Sequence, residues 1–134
     1  MMKKIILAAF ILCAISAWAQ EGVKFAKTTH SFGKITKDKP VTYVFSFSNT
    51  SLKPVIVENA TAECGCTTPE YPKEPIMKGK SGSIKVTYNA ATVGTFKKNV
   101  TIKFANQPAP TVLTIDGEVI EAKEVAKHTA KKKG

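Results

Sequence analysis

The sequence contains no arginine, although it carries 20 basic residues against ten acidic ones and a formal net charge of +10. Arginine supplies the planar fork that reads base edges and grips phosphate, so its absence argues against nucleic-acid recognition. Histidine is scarce, with His30 and His128 the two present. A closed zinc site asks for four ligands, and His128 lies in a polar tail, so the composition speaks against zinc. The single tryptophan, Trp18, falls in the apolar N-terminal stretch and leaves nothing for the buried tryptophan position of an antibody-type domain. That stretch, Ile5 to Ala19, has 15 residues, short of the ~20 that span a bilayer as a helix.

The N-terminus reads as an export signal. Met1-Met2-Lys3-Lys4 is a basic start, the apolar run follows, and Ala17-Trp18-Ala19 has the small-residue pattern of a cleavage site. Residues 1–19 are thus expected to be a signal peptide removed before Gln20, the alternative being an uncleaved anchor. Either way Lys3 and Lys4 hold the start inside and place the bulk of the chain outside the cytoplasm, periplasmic or secreted. Cys13 would leave with the signal; Phe10-Ile11-Leu12 lacks the small residues that precede a lipid-modified cysteine. What remains suits one compact domain, expected at residues 20–120, with a lysine-rich tail at 121–134. No membrane span is expected after cleavage.

Within the domain, short segments alternate with turns. Val41, Tyr43, Phe45 and Phe47 alternate with Thr42, Val44, Ser46 and Ser48, a period of two that puts aromatics on one buried face. Ile84, Val86 and Tyr88 repeat the pattern, as do Phe96, Lys98, Val100, Ile102 and Phe104, and finally Leu113, Ile115 and Val119. Gly117 reads as a bulge or a point of close approach. Val23, Phe25, Phe32 and Ile35 suggest a broken first strand around Gly33, and Val55-Ile56-Val57 a strand covered in part on both sides. Pro69, Pro72 and Pro75 recur every three residues, the period of a stiff polyproline loop; a ligand for an aromatic groove is the alternative. Parallel α/β sheets need helical crossovers, and no long helix is visible before residue 121. The expected fold is an all-β, immunoglobulin-like antiparallel sandwich of about seven strands. Residues 121–134 read as a solvated basic tail, disordered or weakly helical, with adhesion to an anionic envelope surface as the alternative.

Chemistry centres on Cys64-Gly65-Cys66-Thr67. In extended chain, residues i and i+2 share a face, so both sulfurs can be presented together while Gly65 permits a bend. Three uses compete: a structural pair, with or without a disulfide; a redox or thiol-exchange pair; and a soft-metal site for Cu(I). A redox thiol usually owes its lowered pKa to a helix N-terminus or a cation, and no helix follows Cys66. His30-Ser31 with Asp38 and Asp116 contains the residue types of a hydrolase triad but no nucleophile turn. Asn49, Asn59 and Asn99 each begin an N-x-S/T acceptor pattern. No catalytic residue and no cofactor is expected.

The order of motifs carries a resemblance. Phe45-Ser46-Phe47-Ser48-Asn49-Thr50, Lys53-Pro54-Val55-Ile56-Val57, Cys64-Gly65-Cys66-Thr67-Thr68-Pro69, Gly79 with Ile84-Lys85-Val86, Gly94-Thr95-Phe96 and Ile115-Asp116-Gly117-Glu118-Val119 resemble the secreted bacterial family known as domain of unknown function 1573. The resemblance implies an immunoglobulin-like sandwich related to major-sperm-protein and ASH-type domains, exported, without established enzymatic activity and usually without cofactors. Cys64, Gly65, Cys66 and Thr67 stand as its signature. The function expected is a non-enzymatic module that binds a protein or an anionic envelope polymer in the cell envelope. The alternative is a periplasmic thiol protein using Cys64 and Cys66 for disulfide exchange or Cu(I) binding.

Overall fold

The computed structural model describes residues 22–123, so the expected signal peptide, Cys13 and most of the basic tail with His128 lie outside it. Eight strands form among the described residues: β1 (Val23–Phe25), β2 (Thr29–Thr36), β3 (Val41–Asn49), β4 (Val57–Ala62), β5 (Thr67–Glu70), β6 (Ser81–Tyr88), β7 (Gly94–Phe104) and β8 (Thr111–Ile120). They make two four-stranded sheets, ordered β1-β3-β6-β5 and β2-β8-β7-β4. This is the constant-type immunoglobulin arrangement, with the first strand split between the two sheets.

The alternation seen in the sequence explains the sandwich. Phe45 and Phe47 of β3 pair in register with Ile84 and Gly82 of β6, and the side chains of Phe45, Phe47 and Ile84 face inward. Val100, Ile102 and Phe104 of β7 and Leu113 and Ile115 of β8 face them from the other sheet, all essentially inaccessible to water. Phe47 meets Phe104 edge to face at 5.5 Å, and Phe25 of β1 closes that end at 5.2 Å from Phe47. Such aromatic pairs add to the area they bury, so this cluster ties β1, β3 and β7 together.

Four sequence expectations change in detail. The broken first strand is two strands in different sheets. The sandwich is not wholly antiparallel, because β2 runs parallel to β8, Thr29 opposite Thr114 and Thr36 opposite Ile120. No helical crossover is needed, since the whole domain lies between these two strands in the chain. Val55-Ile56-Val57 is covered on one side: Val55 and Val57 are buried while Ile56 is exposed, and β4 starts at Val57. Pro69 lies within β5, opposite Val86, instead of in a polyproline loop. A proline fits there because β5 is an edge strand and can turn its missing N–H away from β6.

Gly117 is a point of close approach. It stands opposite Phe96, and a Cβ on it would come within 2.8 Å of the Gly33 carbonyl oxygen and 2.9 Å of the Phe96 ring. The irregularity lies across from it in β2, where the register shifts between Ser31 and Lys34 and Gly33 takes φ 68°.

Candidate functional site

The cysteine motif forms a tight turn at one end of the sandwich. The Thr67 N–H donates to the Cys64 carbonyl at 3.4 Å, and β5 begins at once. Cys64 and Cys66 are joined in a disulfide with their Cα atoms 5.3 Å apart. The bridge is half-buried, while Thr67 is 4% exposed and holds its hydroxyl 3.9 Å from Cys64 Sγ and 3.7 Å from Cys66 Sγ. A further bond, from the Asn89 N–H to the Cys66 carbonyl at 2.9 Å, ties the motif to the β6–β7 turn. In that turn Ala90 is fully buried at φ 56°, a conformation alanine rarely adopts, and its carbonyl accepts from the Asp38 N–H at 2.9 Å. Beside the bridge is a depression of about 350 Å³ lined by Cys66, the stacked pair Tyr88 and Phe96, Lys97 and Lys98.

The other end is organised by a residue whose role sequence reasoning missed. Asn49 is 2% exposed. Its Nδ2 donates to the carbonyls of Lys53 at 2.7 Å and Ile76 at 2.9 Å, and its Oδ1 accepts from Ser51 N–H at 2.9 Å and Ser51 Oγ at 2.7 Å. One amide thus binds the β3–β4 loop to the β5–β6 loop, and the Asn49 backbone bonds to Gly79 and Lys80 add to the seam. Burial also closes Asn49 to glycan attachment. Gly22 pairs with Thr50 at this end and, with Leu52, Lys53, Asn106 and Gln107, lines a second depression of about 360 Å³.

The triad residue types do not assemble. The His30 ring stacks on Tyr43 at 3.7 Å and meets Phe32 edge to face. Ser31 and Asp116 are register partners, but consecutive strand residues point to opposite faces, so His30 is turned away from both. Asp38 sits in the β2–β3 turn. Among the described residues no three His, Cys, Asp or Glu side chains gather in a metal-holding group.

Residues 23–119 match the family described as protein of unknown function (DUF1573). The chain belongs to it. No curated protein matches this DUF1573 chain. Among solved structures it resembles a protein of unknown function from Porphyromonas gingivalis W83, with a TM-score of 0.63 and 13% identity over 72% of this chain and 46% of that one. It also resembles the ASH/PapD-like domain 7 of human CEP192, with a TM-score of 0.62 and 10% identity over 76% of this chain and 87% of that one. The VesB protease of Vibrio cholerae aligns at 0.59 and 12% identity, over 74% of this chain but 32% of its own. The DUF1573 chain therefore spans less than half of the first protein and about a third of the protease. At these identities the likeness is one of fold, and function must be argued from the site.

Proposed function

We propose that this chain is an exported, non-enzymatic immunoglobulin-like module that binds another protein or an anionic envelope polymer in the cell envelope. The observation that carries this reading is the excess of lysine, 18 basic residues against ten acidic ones from Gln20 onward and 13 against eight in residues 20–120, on a sandwich whose interior is filled by its own side chains. Such a body offers loops, sheet edges and a positive field to partners, and a positive field speeds encounter with anions. The test is capture from envelope extracts by the intact exported chain and by one lacking residues 121–134. A partner retained by the sandwich alone supports the reading; no partner for either version defeats it.

A second reading has one observation in its favour. The Cys64–Cys66 bridge is half-exposed, and the Thr67 hydroxyl reaches both sulfurs. A thiolate of an external dithiol would attack one sulfur, the other leaving as a thiolate that accepts a hydrogen bond from Thr67 Oγ1. The second external thiolate would then release the mixed disulfide, so two electrons pass to the pair and the external dithiol becomes a disulfide. The reduced pair would be a soft donor set for Cu(I). Alkylation mass spectrometry under non-reducing conditions, with copper analysis, decides: a permanently oxidised, copper-free pair removes this reading.

A further inference from the structure

The loop end organised by Asn49 differs from the rest of the surface. Leu52 is 80% exposed and Met77 55%, the two most exposed large apolar side chains described. Each is followed by lysine: Lys53 after Leu52, Lys78 and Lys80 after Met77. Residues 50–56, 76–80 and 105–110 contain those three lysines and no acid; the nearest acids in sequence are Glu58 and Glu74, and Glu21 precedes Gly22. All three are exposed, and no carboxylate pairs with them among the described residues. The two apolar tips are not independent, because the Asn49 amide holds the carbonyls of Lys53 and Ile76 at once.

β1 also starts at this end, with Val23 opposite Asn49. Gly22 lies against Thr50 at this end, and the apolar stretch of the N-terminus ends at Ala19, three residues earlier. Three residues reach at most about 10 Å. A membrane that engages that stretch is therefore next to Leu52 and Met77 and not next to the disulfide end.

We propose that this loop end docks on an anionic lipid bilayer, Leu52 and Met77 entering the acyl boundary and Lys53, Lys78 and Lys80 lying among the headgroups. A polysaccharide or other hydrophilic polymer would use the lysines but has no place for two exposed apolar tips, whereas a bilayer edge takes both. Bilayer docking goes beyond the protein or polymer binding proposed above and does not depend on it.

The test uses the chain from Gln20 onward, which contains every strand and core residue described. Trp18 is then absent, so Leu52→Trp supplies the sole tryptophan, and Val93→Trp, in the exposed β6–β7 turn at the disulfide end, is the control. With phosphatidylglycerol-containing vesicles, L52W emission is expected to shift to the blue and to be quenched by brominated acyl chains, while V93W stays unchanged. Phosphatidylcholine vesicles should give neither effect. Each lysine at an anionic surface is worth about fivefold in affinity, so K53E/K78E/K80E, which removes three lysines and adds three acids, is expected to weaken binding by at least about two orders of magnitude, and salt to weaken the wild type. Deleting residues 121–134 should leave the L52W shift in place. The proposal falls if vesicles sediment the protein without moving L52W, if the triple reversal binds as well as wild type, or if no vesicle binds. In the last case, a partner captured from envelope extracts would still uphold the binding function proposed above.

Discussion

Replacing Asn49 with alanine tests the organisation of the loop end most directly. The side chain makes four hydrogen bonds, two given and two received. Their loss is softened at both acceptors. The Ile76 carbonyl keeps the Val55 N–H at 2.8 Å, and the Lys53 carbonyl keeps Ser51 Oγ at 2.8 Å. The Ser51 N–H, in contrast, loses its side-chain partner. At ~1 kcal/mol net for each bond, less the part recovered by the remaining partners, N49A should cost about 3 kcal/mol. That is a large share of the 5–15 kcal/mol typical of a domain. Urea unfolding measures it as a lower midpoint at an unchanged slope. Native-state hydrogen exchange should show the loosening concentrated at residues 50–56 and 76–80. A loss below ~1 kcal/mol, or one spread evenly over both sheets, would refute the assignment of Asn49 as the tie between these loops. N49D sharpens the test, because it sets a carboxyl against two carbonyl oxygens. The folded state then holds the proton more tightly than the unfolded state, so the variant should lose stability as pH rises from about 4.

Gly117→Ala should cost ~2 kcal/mol by thermal or urea unfolding, since its Cβ would meet the Gly33 backbone and the Phe96 ring inside 3 Å and the backbone cannot yield cheaply. The paired substitution C64S/C66S should cost only ~1–2 kcal/mol, because so small a ring removes little freedom from the unfolded chain, whereas F45A in the same assay should cost ~3–5 kcal/mol. Leu52→Ser should leave stability within about 0.5 kcal/mol while lowering affinity for anionic vesicles roughly tenfold. Intact mass of the exported protein should match a chain beginning at Gln20.

Legibility followed the size of the buried payload. β3, β6, β7 and β8 are readable because each places several large side chains on one face, and nothing but a strand gives that period. β5 was hidden. Thr67–Glu70 contains a proline and no apolar alternation, and it is a strand only because β6 offers it an edge, Thr67 opposite Tyr88 and Glu70 opposite Lys85. The parallel pairing of β2 with β8 was hidden for a related reason: it joins segments some 80 residues apart, and nothing local to either announces it. Gly117 was readable as either a bulge or a close approach, because a glycine inside an apolar strand has few other uses, and folding selected the second. Asn49 was not readable at all. A polar residue ending a strand looks like any turn residue, and its burial depends on two loops that meet only in the folded state.

The same logic separates the two ends of the sandwich as candidate sites. Cys64-Gly65-Cys66-Thr67 is conspicuous in sequence because cysteine is rare there, but its contacts are largely inward: Thr67 is buried, Cys66 is tied to Asn89, and the bridge closes a turn that starts an edge strand. Those contacts account for the motif as a means of setting where β5 begins. Leu52 and Met77 are inconspicuous in sequence, each sharing its loop with other apolar residues, Val55 and Ile56 in one and Ile76 in the other. Folding gives them meaning, since Asn49 brings the loops together beside the start of the domain and no core contact accounts for side chains so exposed. An apolar residue left outside a filled core is unremarkable alone. Two of them, fixed on one tip and flanked by lysines that pair with no carboxylate among the described residues, form a surface of defined chemistry, and it lies at the end from which the chain leads back toward its apolar N-terminus.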